Sequence, residues 1–427
     1  MKGLAGKLSH MEKIWMDKLM GMGLNDLETR QFIEHCQSIK ESYEDNVVDF
    51  AESFIAPAYI SYASWILKDA QRRGLKKLYF LNRDCYIIWK IAEVLNDGKI
   101  ELEYLFLSRR VLSVPFLRNG DVNRLRLISG LSGEYYVWKI KDEDIAFRLN
   151  MTKKELAEEY SLKCGSAYGG SVAEVDKFVE DIFACAPLMK KIKEEGDVQF
   201  HLLKTYLHQS GILDSSETCG IVDIGWTGTS RAMLTTLLNE MGICNPPLWY
   251  YFGADDQSLP VKYGQYVSFS GSKYKSEPIV PLLENYFSLC PYGSVRSFEL
   301  SSEGKVTPIL SKKPAAKQVD IIETNIKVCE AIAKFFKELK ISDKVAKEWC
   351  DISLYALGNY ICKDIDYSVL INGKNYEGKP LVRQLRMKDI IRLCTIVPSD
   401  MDVLNVFYSF SFSTSKNFLK YRKKSIR

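Results

Sequence analysis

The chain has 427 residues, 46% of them apolar and 26% charged, a make-up that excludes disordered and fibrous classes and suits a globular protein of two or three units. Its formal charge of +4 is a weak bias gathered at the C-terminus, so no nucleic-acid partner is expected. Eleven cysteines without a CxxC pair, and four histidines away from them, give no zinc-ligand spacing, and no stretch approaches ~20 clean apolar residues for a membrane span.

Met1 to His10 lack the apolar core of a signal peptide, so reduced thiols in the cytoplasm are expected. Residues 1–45 are charged and helical in period and read as a helical lead-in. Helical patterning runs on to Arg73, with Gly74 as a stop signal. Within it, Val47–Leu67 reads as a buried helix with a kink or break near Pro57. Leu75–Leu81 reads as a strand, Asn82-Arg83-Asp84-Cys85 as a short loop, Tyr86–Leu95 as a helix and Leu102–Leu107 as the next strand. That alternation predicts an α/β protein with a parallel sheet flanked by helices.

Residues 111–211 are mostly helical and charged, with a glycine-rich patch at Cys164–Gly170, and read as an insertion between sheet strands. His201 and His208 lie near one helical face there and read as ordinary surface or core histidines. The sheet resumes at Gly220–Ile224, followed by a helix over Ser230–Met241 and a strand over Leu248–Gly253. The core is thus placed at 46–300. Residues 301–427 read as a mainly helical C-terminal region, ending in the basic tail Lys416–Arg427.

Three strand ends carry unusual chemistry. The first closes on Asn82-Arg83-Asp84, the second on Ser108-Arg109-Arg110, and a later one on Asp223-Ile-Gly-Trp-Thr227-Gly228-Thr229-Ser230. Ligands of an open parallel sheet bind outside the carboxyl ends of its strands. The turn from Thr227 to Ser230 opens a helix whose first N–H groups lack partners and attract an anion, while Gly228 lets the backbone approach. Arginine forks match phosphate oxygens. One phosphate in the turn and a more charged group on the arginines suit a sugar with a phosphate at one end and a diphosphate at the other. Asp223 suits a sugar hydroxyl or a metal-bound water.

The Asp223–Ser230 loop resembles the phosphoribosyl diphosphate (PRPP) signature of type I phosphoribosyltransferases. Asp223 matches its second acid, and Thr227, Gly228 and Ser230 fall at the matching offsets; Val222 stands where the first acid is usual. A wider set resembles a family from bacterial polysaccharide gene clusters. It comprises Phe54-Ile-Ala-Pro57 to Trp65, Asn82-Arg83-Asp84, Ser108-Arg109-Arg110, Asp223-Ile-Gly-Trp226, Leu283-Glu284 and Pro291-Tyr-Gly293-Ser294. That family is often labelled as hydrolases of the haloacid dehalogenase superfamily. Cys85 replaces the glycine usual after its Arg-Asp.

This resemblance implies a type I phosphoribosyltransferase-like fold and a glycan phosphoribosyltransferase. The enzyme would move 5-phosphoribosyl from PRPP to a hydroxyl of a lipid-linked or oligosaccharide glycan, starting ribofuranose addition to an O antigen or capsule. A separate phosphatase would remove the 5-phosphate. It assigns PRPP to Asn82, Arg83, Ser108, Arg109, Arg110, Asp223, Thr227, Gly228, Thr229 and Ser230. It expects Mg²⁺, with Asp223 as the metal contact, and gives catalytic roles to Arg83, Asp84 and Glu284; of the two candidate bases Asp84 is preferred, because it sits in the site loop, with Glu284 binding acceptor instead. The basic tail suits peripheral contact with anionic lipid at the inner face of the membrane. Two alternatives stand beside this reading. A phosphatase of the dehalogenase type would need a DxDx(T/V) motif, loosely met only by Asp364-Ile-Asp366-Tyr-Ser368. A non-catalytic binding subunit would keep the fold without turnover.

Overall fold

A computed structural model describes residues 9–359 apart from 21–23, 42–45, 129–130, 133–134, 137–145, 147, 163–171, 215–217, 255–262 and 275–278. The glycine-rich patch, the Asp364–Ser368 segment and the basic tail lie wholly or largely outside the described residues.

Five short strands form one parallel sheet: β1 (Lys77–Leu81), β2 (Glu101–Leu105), β3 (Cys219–Asp223), β4 (Leu248–Tyr251) and β5 (Tyr266–Ser268), in spatial order β2-β1-β3-β4-β5. The strands are apolar on both sides because both faces are covered. Leu78, Phe80, Val222 and Tyr250 face one core, and Tyr79, Leu81, Ile221, Trp249 and Tyr251 face another. The fold class is therefore the expected α/β sheet flanked by helices.

The crossover helix Tyr86–Leu95 joins β1 to β2 on the first face, and the crossover helix Thr229–Glu240 joins β3 to β4 on the second. Strand order thus reverses between β1 and β3, which is the topological switch point where such sheets open a crevice. Phe80 pairs beside Val222, so Asn82–Asp84 and Asp223 leave the sheet side by side.

The helices between β2 and β3 pack on the second face, Arg109–Leu117 and Ala186–Gln209 among them. The first face carries the helices His10–Leu19, Asp26–Glu41, Ala56–Arg72, Ala316–Glu338 and Asp343–Asn359 in one continuous core. Among the described residues, no helix is long and apolar enough to cross a membrane.

The expected break at Pro57 takes another form. A single π-helical stretch, Ala51–Ile55, precedes the helix Ala56–Arg72, and Pro57 sits in that helix's first turn. Proline offers no N–H and its ring crowds the carbonyl four residues back; the wider turn, closed by the Ala56 N–H on the Ala51 carbonyl, takes up that mismatch without ending the helix. A second π stretch, Leu283–Phe287, packs against it through Phe50, Tyr286 and Phe287, with the Phe50 and Tyr286 rings 5.2 Å apart. It presents Glu284 to the crevice.

Candidate functional site

Each side of the crevice is built from local chemistry. After β1 the chain turns through Arg83, whose φ of 70° is left-handed and rare for a side chain of its size. Arg83 Nε donates to Asp84 Oδ1 at 2.6 Å, forming an ion pair at the crevice. Cys85 is fully buried, and its thiol donates to the Val222 carbonyl at 3.3 Å. A glycine there would lose this tie between the β1 loop and β3, which is a structural reason for cysteine. Burial pushes that thiol well above its ordinary pKa, so it is inert as a nucleophile.

After β3, Asp223 Oδ1 accepts the Ile224 N–H at 2.8 Å. Burial pushes the Asp223 carboxyl up to about 7, and the nearby Asp84 carboxylate adds to the rise; the Ile224 N–H and the Arg109 guanidinium oppose it, and Glu284 contributes further. Burial likewise raises the Glu284 carboxyl, opposed by Arg109 and Arg83, with the Trp226 indole beside it. Asp84, Asp223, Glu284, Arg83 and Arg109, drawn from four segments, therefore share one electrostatic site. Val222 is fully buried against the first core, where an acid would be stranded. The second carboxylate beside Asp223 comes instead from Asp84, one strand away.

The loop beyond Asp223 is shaped by close approaches. A Cβ on Gly225 would lie 1.9 Å from the Gly253 carbonyl, and one on Gly253 would strike the Trp226 ring. Gly228 takes φ 79° as N-cap of the helix Thr229–Glu240, which has no side-chain cap, so its first N–H groups remain for a ligand. Thr227 and Thr229 hydroxyls lie 3.1 Å apart at the mouth, with Ser230 next to them.

The other predicted residues separate into two groups. Asn82 is buried, donating to the Tyr104 hydroxyl at 2.9 Å and accepting the Val295 N–H at 3.2 Å. Ser108 caps its helix and donates to the Val295 carbonyl at 3.0 Å. Both hold protein rather than open space. Arg109 is exposed and faces the carboxylates, whereas Arg110 turns to Asn150, donating twice to its Oδ1 at 2.6 and 3.1 Å.

Sequence reasoning missed two supports. Arg231 is fully buried, donates to the Gly264 carbonyl, lies over the Tyr266 ring at 4.3 Å, and packs where a Gly228 side chain would go. Its signal was a lone arginine inside an otherwise apolar helix face. Tyr62, also buried, lies 2.9 Å from both the Asp223 and Tyr250 carbonyls and so ties the ends of β3 and β4 together; nothing in its local sequence marks it.

Among the described residues, no trio of His, Cys, Asp or Glu is arranged to hold a metal by itself. Mg²⁺ usually takes one or two carboxylates and fills its shell with substrate phosphates and water, and the crowded acids Asp223 and Asp84 fit that use. No protein-family model matches the chain, and no curated protein matches it significantly.

Proposed function

We propose that this chain transfers 5-phosphoribosyl from PRPP to a glycan hydroxyl and releases diphosphate. The reading is carried by one observation: an uncapped helix start ringed by hydroxyls shares the switch-point crevice with two arginines and three acids, of which Asp223 and Glu284 have raised proton affinity. The turn Thr227–Ser230 takes the 5-phosphate and Asp223 the ribose hydroxyls. Arg83 and Arg109 face the diphosphate, where fixed cations stabilise charge that develops as the bond to C1 breaks. Mg²⁺ carried with the diphosphate, beside Asp223, would neutralise part of that charge.

The acceptor oxygen forms the new bond to C1, and its proton passes to a carboxylate. Asp84 is committed to Arg83, while burial raises the proton affinity of Glu284. The raised proton affinity makes Glu284 the better proton acceptor, so in this reading, against the preference from sequence, Glu284 takes the proton and Asp84 holds Arg83 in place. A separate phosphatase then acts on the product. Work at the cytoplasmic face of a membrane, through the basic tail, belongs to the same proposal.

The test is incubation with PRPP, Mg²⁺ and a panel of free and lipid-linked glycans. Diphosphate release with a phosphopentose mass gain on one acceptor supports the transferase. Free inorganic phosphate would mark a hydrolase, and PRPP binding without turnover a binding subunit.

A further inference from the structure

We propose that Tyr292 is the platform on which a sugar ring of the acceptor glycan stacks, at the rim of the crevice beside the Arg83–Asp84 turn. The inference rests on the transfer reaction proposed above but on different residues. Tyr292 is 38% exposed and is the outermost ring of a packed aromatic group. It meets the buried Tyr86 ring at 86° with centres 5.5 Å apart; Tyr86 meets Tyr104 at 5.3 Å, and Trp89 stacks on Tyr104 at 5.3 Å. A perpendicular contact takes up at most one face of the Tyr292 ring, so ring surface is left to solvent on a rigid base.

Hydrogen bonds fix that base to the site loop. Tyr86 opens the helix after β1, and its N–H donates to the Arg83 carbonyl at 3.2 Å. The Tyr104 hydroxyl, near the end of β2, accepts from Asn82 Nδ2 at 2.9 Å and from the Arg83 N–H at 3.4 Å. Under the ring itself, Cys290 Sγ donates to the Tyr292 carbonyl at 3.1 Å, and Gly293 lies so close to Ser311 that a Cβ there would be 2.0 Å from its carbonyl oxygen. Three residues beyond Tyr292, the Val295 N–H donates to Asn82 and its carbonyl accepts from Ser108. This gives Asn82 and Ser108 a use: they are positioning residues that hold the segment running on from Glu284 across the ends of β1 and β2.

A sugar presents a flat face of C–H bonds edged by hydroxyls. A tyrosine ring answers it with an electron-rich face that attracts those hydrogens and a hydroxyl at its edge, and being rigid it loses little entropy on binding. The platform is neutral, whereas the donor side of the crevice is built from arginines and acids. A neutral acceptor and a highly charged donor are thereby sorted to different sides of the Arg83–Asp84 turn.

The test is saturation-transfer NMR of the full chain with the methyl glycosides of glucose, galactose, mannose and N-acetylglucosamine, beside calorimetric titration with PRPP and Mg²⁺. Saturating the protein's aromatic protons should label C–H protons on one face of at least one sugar. Tyr292→Ala is expected to remove that labelling and weaken that sugar by about tenfold, with PRPP affinity unchanged. Tyr292→Phe and Tyr292→Trp keep a ring and should keep the labelling. Labelling that survives in Tyr292→Ala, a loss of PRPP affinity equal to that of the sugar, or no labelling of any of the four sugars overturns the platform. If PRPP binds in that last case, the platform falls while the transferase reading stands. If a sugar binds through Tyr292 but PRPP does not bind, the transferase reading fails while the platform stands.

Discussion

Replacing Asp223 with Asn should make the protein more stable and inactive at once. The native carboxyl is held at about 7 against an ordinary 3.8, because it is partly buried beside Asp84 and Glu284. The folded state therefore keeps a proton that the unfolded chain has lost, and stability falls as pH rises from 3.8 to about 7, then levels off. Each pH unit in that window corresponds to ~1.4 kcal/mol, so the whole interval amounts to roughly 4 kcal/mol. Solvent reaches part of the side chain and screens it, and we expect Asp223→Asn to gain about 2–3 kcal/mol at pH 8. Asparagine keeps the acceptor for the Ile224 N–H, so the turn is preserved. Urea midpoints at pH 4.5, 6 and 8 check this: the gain should be small at the lowest pH and largest at the highest. A gain independent of pH, or a loss at pH 8, refutes the electrostatic account. Phosphoribosyl transfer should fall to background throughout, since amide cannot replace carboxylate at the ribose; such a trade of stability for activity is usual at functional sites.

If the proposed transfer holds, kcat/KM of the unmodified protein for PRPP should rise with pH through about 7 as Asp223 ionises, and a profile falling over that range would count against its ribose role. Glu284→Gln should lower kcat by about 10²-fold with PRPP affinity kept, whereas Asp84→Asn should act mainly on PRPP affinity by releasing Arg83; the reverse pattern would exchange their roles. Arg231→Ala should destabilise by roughly 3 kcal/mol in urea, because it removes a buried cation from the Gly264 carbonyl and leaves a void, and an unmoved midpoint would contradict that. Alkylation followed by mass mapping of the native protein should modify exposed Cys244 ahead of buried Cys85, Cys219, Cys329 and Cys350, which should react only after unfolding.

The core of the sheet was legible because each strand is a short apolar run closed by polar residues, and β1, β2 and β3 all follow that rule. The same rule exposed Asp84, Arg109 and Asp223, since a charged residue just past a buried run has to emerge at the sheet edge. Distinguishing Arg109 from Arg110 was beyond it: adjacent residues on a helix point about 100° apart, and which one faces the crevice depends on how the helix docks. The partner of Asp223 was sought at Val222, next in sequence, but alternation along a strand sends neighbours to opposite faces, so the second acid had to come from another loop.

The placement of the helical insertion has a cost during synthesis. β1 is paired on one edge by β2 and on the other by β3, yet β3 begins roughly a hundred residues after β2 ends. At ~5–20 residues per second a ribosome needs on the order of 5–20 s to cross that gap. Throughout it, the Leu78-Tyr79-Phe80-Leu81 edge has no strand to pair with, the kind of edge that recruits other chains. The centre of the sheet, and with it the crevice that joins Asp84 to Asp223, can close only when the ribosome has delivered both sides of the insertion.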